Sequence, residues 1–306
     1  MEESPANYSV DLANKSRSGG LSRRAFLARL ALAAGGAAAA LACGAGATAV
    51  APTRPPSPTP EPTAEEAAPS PTKEDTIEAG PVEFEVNGAT LLGYLSRPIL
   101  PGPHPGVLVV HENRGLLPHF LDVTRRLARE GYVALAVDML SRQGGTDSFA
   151  DTNAMLGALR GIPTDQIVDD GNAGVKFLQD RPYVMKNRVG AMGFCFGGSI
   201  VWLMGVRNPE LRAAVPFYGS APPLEEVPNL QFPVLGIYAG EDARINAGVP
   251  DLEETLKFEG KKYKFVTYPG ANHAFFNDTG SRYHPGAAGE AWLETLDWLE
   301  EHLMDS

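Results

Sequence analysis

The run Gly193-Phe194-Cys195-Phe196-Gly197 constrains this 306-residue chain more than any other feature. An apolar, strand-like stretch from Val189 to Met192 leads into it, and Gly197-Gly198-Ser199-Ile200-Val201 leaves it as a helix start. A strand that turns sharply into a helix has no space for Cβ atoms beside the turn, and flanking glycines supply that space. Such a turn lifts one side chain, here the Cys195 thiol, to the carboxyl edge of a sheet. It also sets the sulfur at a helix N-terminus, where the dipole favours thiolate over thiol. The plain alternative is a small buried hydrophobe, as most free cysteines are. Partners elsewhere in the chain decide between the two.

Two candidate partners follow in sequence. The apolar run from Phe232 to Ala239 ends in Gly240-Glu241-Asp242, and the run from Tyr263 to Tyr268 turns through Pro269-Gly270-Ala271-Asn272 to His273. Catalytic groups on open α/β sheets collect at strand carboxyl ends, so all three side chains are expected at one edge. Cys195 is then the nucleophile, His273 the proton acceptor and Asp242 the acid that orients it, with Glu241 an alternative acid. Taken singly, Asp242 would be a loop carboxylate or helix cap and His273 a surface histidine. A further buried run, Val107-Leu108-Val109-Val110-His111, ends in Glu112-Asn113-Arg114-Gly115. The backbone N–H groups of Asn113 and Phe196 are the expected oxyanion-hole donors in this topology.

The remaining pattern agrees with one wound sheet. Strands are expected near 82–86, 91–95, 107–111, 133–138, 189–193, 213–217, 234–238 and 264–268, the first two as antiparallel edge strands. Helices are expected near 118–130, 164–180, 198–206, 252–257 and 288–303, alternating with the later strands and implying parallel order. Segment 142–162 reads as less regular and as a candidate lid. The expected fold is thus an α/β-hydrolase fold, a mostly parallel sheet of about eight strands with helices on both faces. No spacing of histidine and cysteine suits a metal, and the glycines at the turn lack the ending of a nucleotide loop, so no cofactor is expected.

The loop His111-Glu112-Asn113-Arg114-Gly115, the turn Gly-Phe-Cys-Phe-Gly-Gly, Gly240-Glu241-Asp242 and Asn272-His273-Ala274-Phe275 together resemble the dienelactone hydrolase family over residues 80–304. The resemblance implies hydrolysis of a small lactone or ester through a cysteine acyl-enzyme. It also implies that Glu112 contacts the resting thiol and helps form the thiolate when substrate arrives. Family members acting on dienelactone hold its carboxylate with arginines, one of them four residues beyond the catalytic histidine. Here that position is Asn277, and Arg114, Arg142 and Arg282 are further candidates for substrate contact. An acyltransferase or peptidase on the same fold, and a ligand-binding lipoprotein without catalysis, remain alternative readings.

The front of the chain has a different character. Residues 22–27, Ser-Arg-Arg-Ala-Phe-Leu, resemble a twin-arginine export motif, and the Ala-rich stretch 28–42 is too short to span a bilayer but suits a signal core. Residues 1–50 are therefore expected to be a signal peptide. Two cleavage points compete. Ala40-Leu41-Ala42-Cys43-Gly44 resembles a lipobox that would lipidate Cys43 and tether the protein to a membrane, whereas Ala47-Thr48-Ala49 would release it. Residues 51–75, dense in Pro, Thr, Glu and Ala, are expected to be a disordered tether, leaving 76–306 as the catalytic domain. Cys43 and Cys195 are the only cysteines, so no structural disulfide is expected. The net charge is −11; residues 1–75 carry seven basic and eight acidic side chains, which leaves −10 on the remainder. That balance argues against nucleic-acid binding, and the expected partner is a small-molecule substrate.

Overall fold

A computed structural model describes residues 76–304. The expected signal, tether and Cys43 lipidation site lie outside the described residues. Eight strands, β1 (Ile77–Val86), β2 (Ala89–Pro98), β3 (His104–Val110), β4 (Val133–Val137), β5 (Val184–Phe194), β6 (Ala214–Phe217), β7 (Val234–Ala239) and β8 (Tyr263–Tyr268), form one sheet in the order β1-β2-β4-β3-β5-β6-β7-β8. The β1–β2 and β2–β4 pairings are antiparallel, and all the others are parallel.

The period of two in the central strands explains why both faces are covered. On β3, Val107 and Val109 join the apolar cluster on one face, while Leu108 and Val110 join the other. Helix α1 (Pro118–Arg129) contributes Phe120, Val123 and Leu127 to the first cluster, and α7 (Pro285–Leu299) contributes Ala291, Trp298 and Leu299. The second cluster takes Val175 and Leu178 of α3 (Thr164–Gln179), Ile200, Val201 and Met204 of α4 (Phe196–Arg207), and Leu252 and Leu256 of α6 (Val249–Phe258). With helices on both sides, central strands read as continuous apolar runs rather than alternating ones.

The edge strands run longer than expected, β1 from Ile77 and β2 to Pro98, and the structure departs from expectation in three further places. Helix α2 (Thr152–Gly161) forms inside the segment expected to be irregular; Asp151 caps it by accepting from the N–H groups of Asn153 and Ala154 at 2.8 and 2.9 Å. It buries Met155 and Leu159, but Gly157 and Gly161 dilute the periodicity that would have marked it. Strand β5 begins at Val184, ahead of the apolar run, because Val184 pairs with His104 on β3, and the exposed Lys186 and Asn187 lie between that pair and the run. A one-turn helix, α5 (Ala243–Asn246), starts directly after Asp242.

Segment 138–148, which leads from β4 toward α2, is tied down by polar groups. Arg142 makes a bidentate ion pair with the buried carboxylate of Asp170 on α3, with contacts from 2.8 to 3.2 Å. The short 3-10 turns Ser141–Gln143 and Thr146–Ser148 flank Gly144 and Gly145, both at positive φ. This segment lies at the carboxyl end of the sheet, the edge where the functional side chains gather.

Candidate active site

Cys195 occupies the junction of β5 and α4 with φ 56° and ψ −114°, a conformation costly for a residue with a Cβ. Its N–H donates to the Phe217 carbonyl at 3.0 Å, and its carbonyl accepts from the Ser199 N–H at 3.1 Å, so the strain is held from both sides. A Cβ on Gly193 would lie 2.2 Å from the Gly197 carbonyl oxygen, and one on Gly197 would lie 2.3 Å from the Val110 carbonyl oxygen. The glycines are therefore required by close backbone contact.

His273 approaches from the loop after β8. Its Nε2 lies 2.9 Å from the Cys195 Sγ, and its Nδ1 is hydrogen-bonded to the Asp242 Oδ2. A carboxylate only accepts, so Nδ1 carries the proton and Nε2 presents a lone pair to the thiol. Asp242 is buried, and its other oxygen accepts from the Ile245 N–H at 3.4 Å. The loops carrying the acid and the histidine are themselves joined, because the Gly240 and Glu241 N–H groups donate to the Tyr268 and Ala271 carbonyls, each at 2.9 Å. Glu241 points to solvent, which leaves Asp242 as the partner of the imidazole.

Glu112, at the end of β3, is buried beside this pair. Tyr218 Oη donates to its Oε1 at 3.3 Å, and Asn277 Nδ2 donates to its Oε2 at 3.1 Å. The Asn277 amide is fixed in that orientation because its Oδ1 accepts from the Thr279 N–H and hydroxyl at 3.1 and 2.7 Å. Burial, with Glu112 adding to it, pushes the Tyr218 hydroxyl well above its ordinary range, so it stays a donor. The same two causes push the Cys195 thiol up to about 11, against smaller opposing effects from the Phe196 amide and the Arg244 and Arg282 cations. The resting sulfur is thus a thiol. The thiolate expected at the helix N-terminus does not form, because a surface dipole effect of about 0.3–1 kcal/mol is smaller than the cost of charging a buried group beside a carboxylate.

The sulfur opens onto a cavity of about 340 Å³. Asn113 and Phe196, whose amides are the expected oxyanion donors, line it beside Cys195. Leu156, Leu159 and Ile245 supply an apolar wall, and Arg160 and Arg244 bring cations to it.

Set beside known proteins, the dienelactone hydrolase family profile matches residues 91–303. The chain is 33% identical over 236 residues to a protein of Methylorubrum extorquens named as a carboxymethylenebutenolidase, covering 73% of this chain and 81% of that one. A protein of Escherichia coli strain K12 with the same name is 34% identical over 244 residues, covering 76% and 90%. A crystal structure named as a dienelactone hydrolase of Klebsiella pneumoniae superposes with a TM-score of 0.69 at 32% identity, covering 74% of this chain and 99% of that one. The chain belongs to the dienelactone hydrolase family.

In this dienelactone hydrolase family member, Cys195, His273 and Asp242 stand together with Glu112 near the sulfur, whereas the named candidates for substrate contact lie away from the cavity. Glu112 is bonded to Tyr218 and Asn277, and the thiol's hydrogen-bond partner is His273. Asn277 is buried, donates to Glu112 and does not line the cavity. Arg142 is consumed by Asp170. Arg114 and Arg282 are exposed and do not line the cavity, and Arg282 reaches the sulfur only through its charge. The cations that do line it, Arg160 and Arg244, went unnamed, as did Tyr218. Tyr218 and Arg244 could have been found by extending the strand-end rule, since one follows β6 directly and the other lies two residues beyond Asp242. Arg160 becomes visible only once α2 is recognised.

A neutral resting thiol has a kinetic consequence. Alkylation of the unliganded enzyme by iodoacetamide is expected to rise about tenfold per pH unit from pH 7 to 10, because the thiolate fraction grows until the pH reaches about 11. A plateau reached near pH 7 would mean a resting thiolate and contradict this electrostatic account.

Proposed function

We propose that this enzyme hydrolyses lactones and small carboxylic esters through an acyl group carried on Cys195. The observation that carries the reading is the Cys195 Sγ at 2.9 Å from a His273 imidazole whose far nitrogen is bound to Asp242, on the wall of a cavity. As Sγ attacks the carbonyl carbon, its proton passes to His273 Nε2 and the carbonyl π electrons move to oxygen. The Asn113 and Phe196 amides receive that oxyanion, each contributing about 3 kcal/mol in comparable sites. Asp242 stabilises the imidazolium. Collapse re-forms the carbonyl and breaks the bond to the leaving oxygen, which takes the proton from Nε2. In a lactone the leaving hydroxyl stays attached to the acyl chain. Water then gives its proton to Nε2, attacks the thioester and releases the acid and the thiol.

Glu112 keeps the unliganded sulfur protonated, which slows its oxidation. That property suits an exported enzyme with a single catalytic thiol, and residues 1–50 support export by a twin-arginine route, with Cys43 as a candidate lipid anchor. Specificity is assigned to Arg160 and Arg244, whose guanidinium groups make no salt bridge among the described residues.

Two measurements test these roles. Cys195→Ala should lower turnover of p-nitrophenyl acetate and dihydrocoumarin by roughly a thousandfold or more, the scale seen when a triad nucleophile is removed; turnover within tenfold of wild type would refute the nucleophile. Arg160→Ala and Arg244→Ala should each raise KM by roughly tenfold for an aryl ester bearing a carboxylate, and leave its neutral isostere within about twofold, as loss of a charge-assisted hydrogen bond requires. Equal effects on both esters would remove the arginines from substrate recognition.

A further inference from the structure

We propose that Thr146, backed by the buried Asp138 carboxylate, is a positioning residue that fixes the loop from Glu112 to Leu116 and with it the oxyanion amide of Asn113. This inference rests on the hydrolytic reading of the same cavity. Thr146 and Asp138 lie on the segment after β4 and have no place in the reaction steps above. Both are buried, at 6% and 5% exposure.

The connection runs through backbone groups of the loop. The Leu116 N–H donates to Thr146 Oγ1 at 2.8 Å, and the Thr146 hydroxyl donates to Asp138 Oδ1 at 2.9 Å. The donor and acceptor sides of one hydroxyl are thus both used, and the carboxylate orients it. Asp138 is held in turn, with Oδ1 accepting from the Leu140 N–H at 3.0 Å and Oδ2 from the Thr146 N–H at 2.6 Å. Gly115, at φ 80°, lies so close that a Cβ there would meet Thr146 Oγ1 at 2.3 Å.

The same segment grips the other end of the loop. The Met139 N–H donates to His111 Nε2 at 3.0 Å, which leaves the proton on Nδ1 to donate to the Glu112 carbonyl at 2.6 Å. The Gly115 N–H donates to that carbonyl as well, at 3.3 Å. Asn113 therefore sits between two anchors, both reached from residues 139–146. An oxyanion donor must stand within a few tenths of an ångström of the developing charge, and a loop without helix or strand geometry needs an external brace to hold it there.

The test compares full-length variants on p-nitrophenyl acetate. Thr146→Val keeps the shape and removes the hydroxyl; kcat should fall roughly tenfold or more, with KM within about twofold, the pattern of a loss confined to the transition state. Thr146→Ser restores the hydroxyl and should return kcat to within about twofold of wild type. Hydrogen exchange at the Leu116 amide should accelerate in the valine variant and stay at the wild-type rate in the serine variant. Unchanged kcat in Thr146→Val, a raised KM with kcat kept, or a serine variant as poor as valine would each overturn the proposal. Should the valine variant not fold, Thr146→Ala is read by the same criteria; should neither fold, a tenfold fall in kcat for the serine variant overturns it. Loss of the hydrolytic reading looks different, as a wild-type chain without Cys195-dependent turnover, and Leu116 exchange still reads the clamp in that event.

Discussion

The strained backbone of Cys195 is the constraint on which the rest of the site depends. A residue with a Cβ held at φ 56° and ψ −114° costs on the order of 1–3 kcal/mol and persists only where its surroundings over-determine it. Here they do. The Phe217 carbonyl takes the Cys195 N–H, the Ser199 N–H takes the Cys195 carbonyl, and glycines on both sides let the backbone of β3 and of α4 close around the turn. The strain projects the sulfur from the sheet edge into the cavity. Every other group, from His273 to the Asn113 amide, is placed relative to that point.

The electrostatics then divide the labour between two carboxylates. Asp242 is bound to the imidazole and favours the charge that appears on it during attack. Glu112 is held by Tyr218 and Asn277 near the sulfur, where its charge opposes a resting thiolate. One acid stabilises the reacting state and the other the waiting one. The arrangement works because the two are fixed by different partners, Ile245 and His273 for the first, and a tyrosine and an amide for the second.

Much of this was legible in the sequence because strands buried on both faces write themselves as apolar runs. The central strands β3 to β7 formed where such runs stand, β1, β2 and β8 formed as half-exposed strands, and the triad order followed from which strands lead to Cys195, Asp242 and His273. Boundaries failed where the physics is less local. Strand β5 starts early because Val184 already pairs with His104, before the register shifts across Lys186 and Asn187 and resumes at Val189. Helix α2 was missed because Gly157 and Gly161, both poor helix formers, stand on its exposed side, although Asp151 announces its start. The substrate-facing arginines could not be chosen by spacing alone, since Arg142 and Arg160 differ only in what the folded chain offers them: a buried aspartate for one, an open cavity for the other. For the ionisation of the thiol, the helix dipole is visible in the sequence and the depth of burial is not, so the residues alone favoured a thiolate and only the family resemblance implied a resting thiol.

The central claim is that a covalent acyl group passes through one sulfur. Acid quenching during turnover of p-nitrophenyl butyrate, followed by intact-mass and peptide analysis, tests it directly. The account requires a mass gain of one butyryl group, located on the peptide containing Cys195 and removed by hydroxylamine. Turnover with no acyl adduct at any quench time, or an adduct located on Ser199 or any other residue, would contradict it.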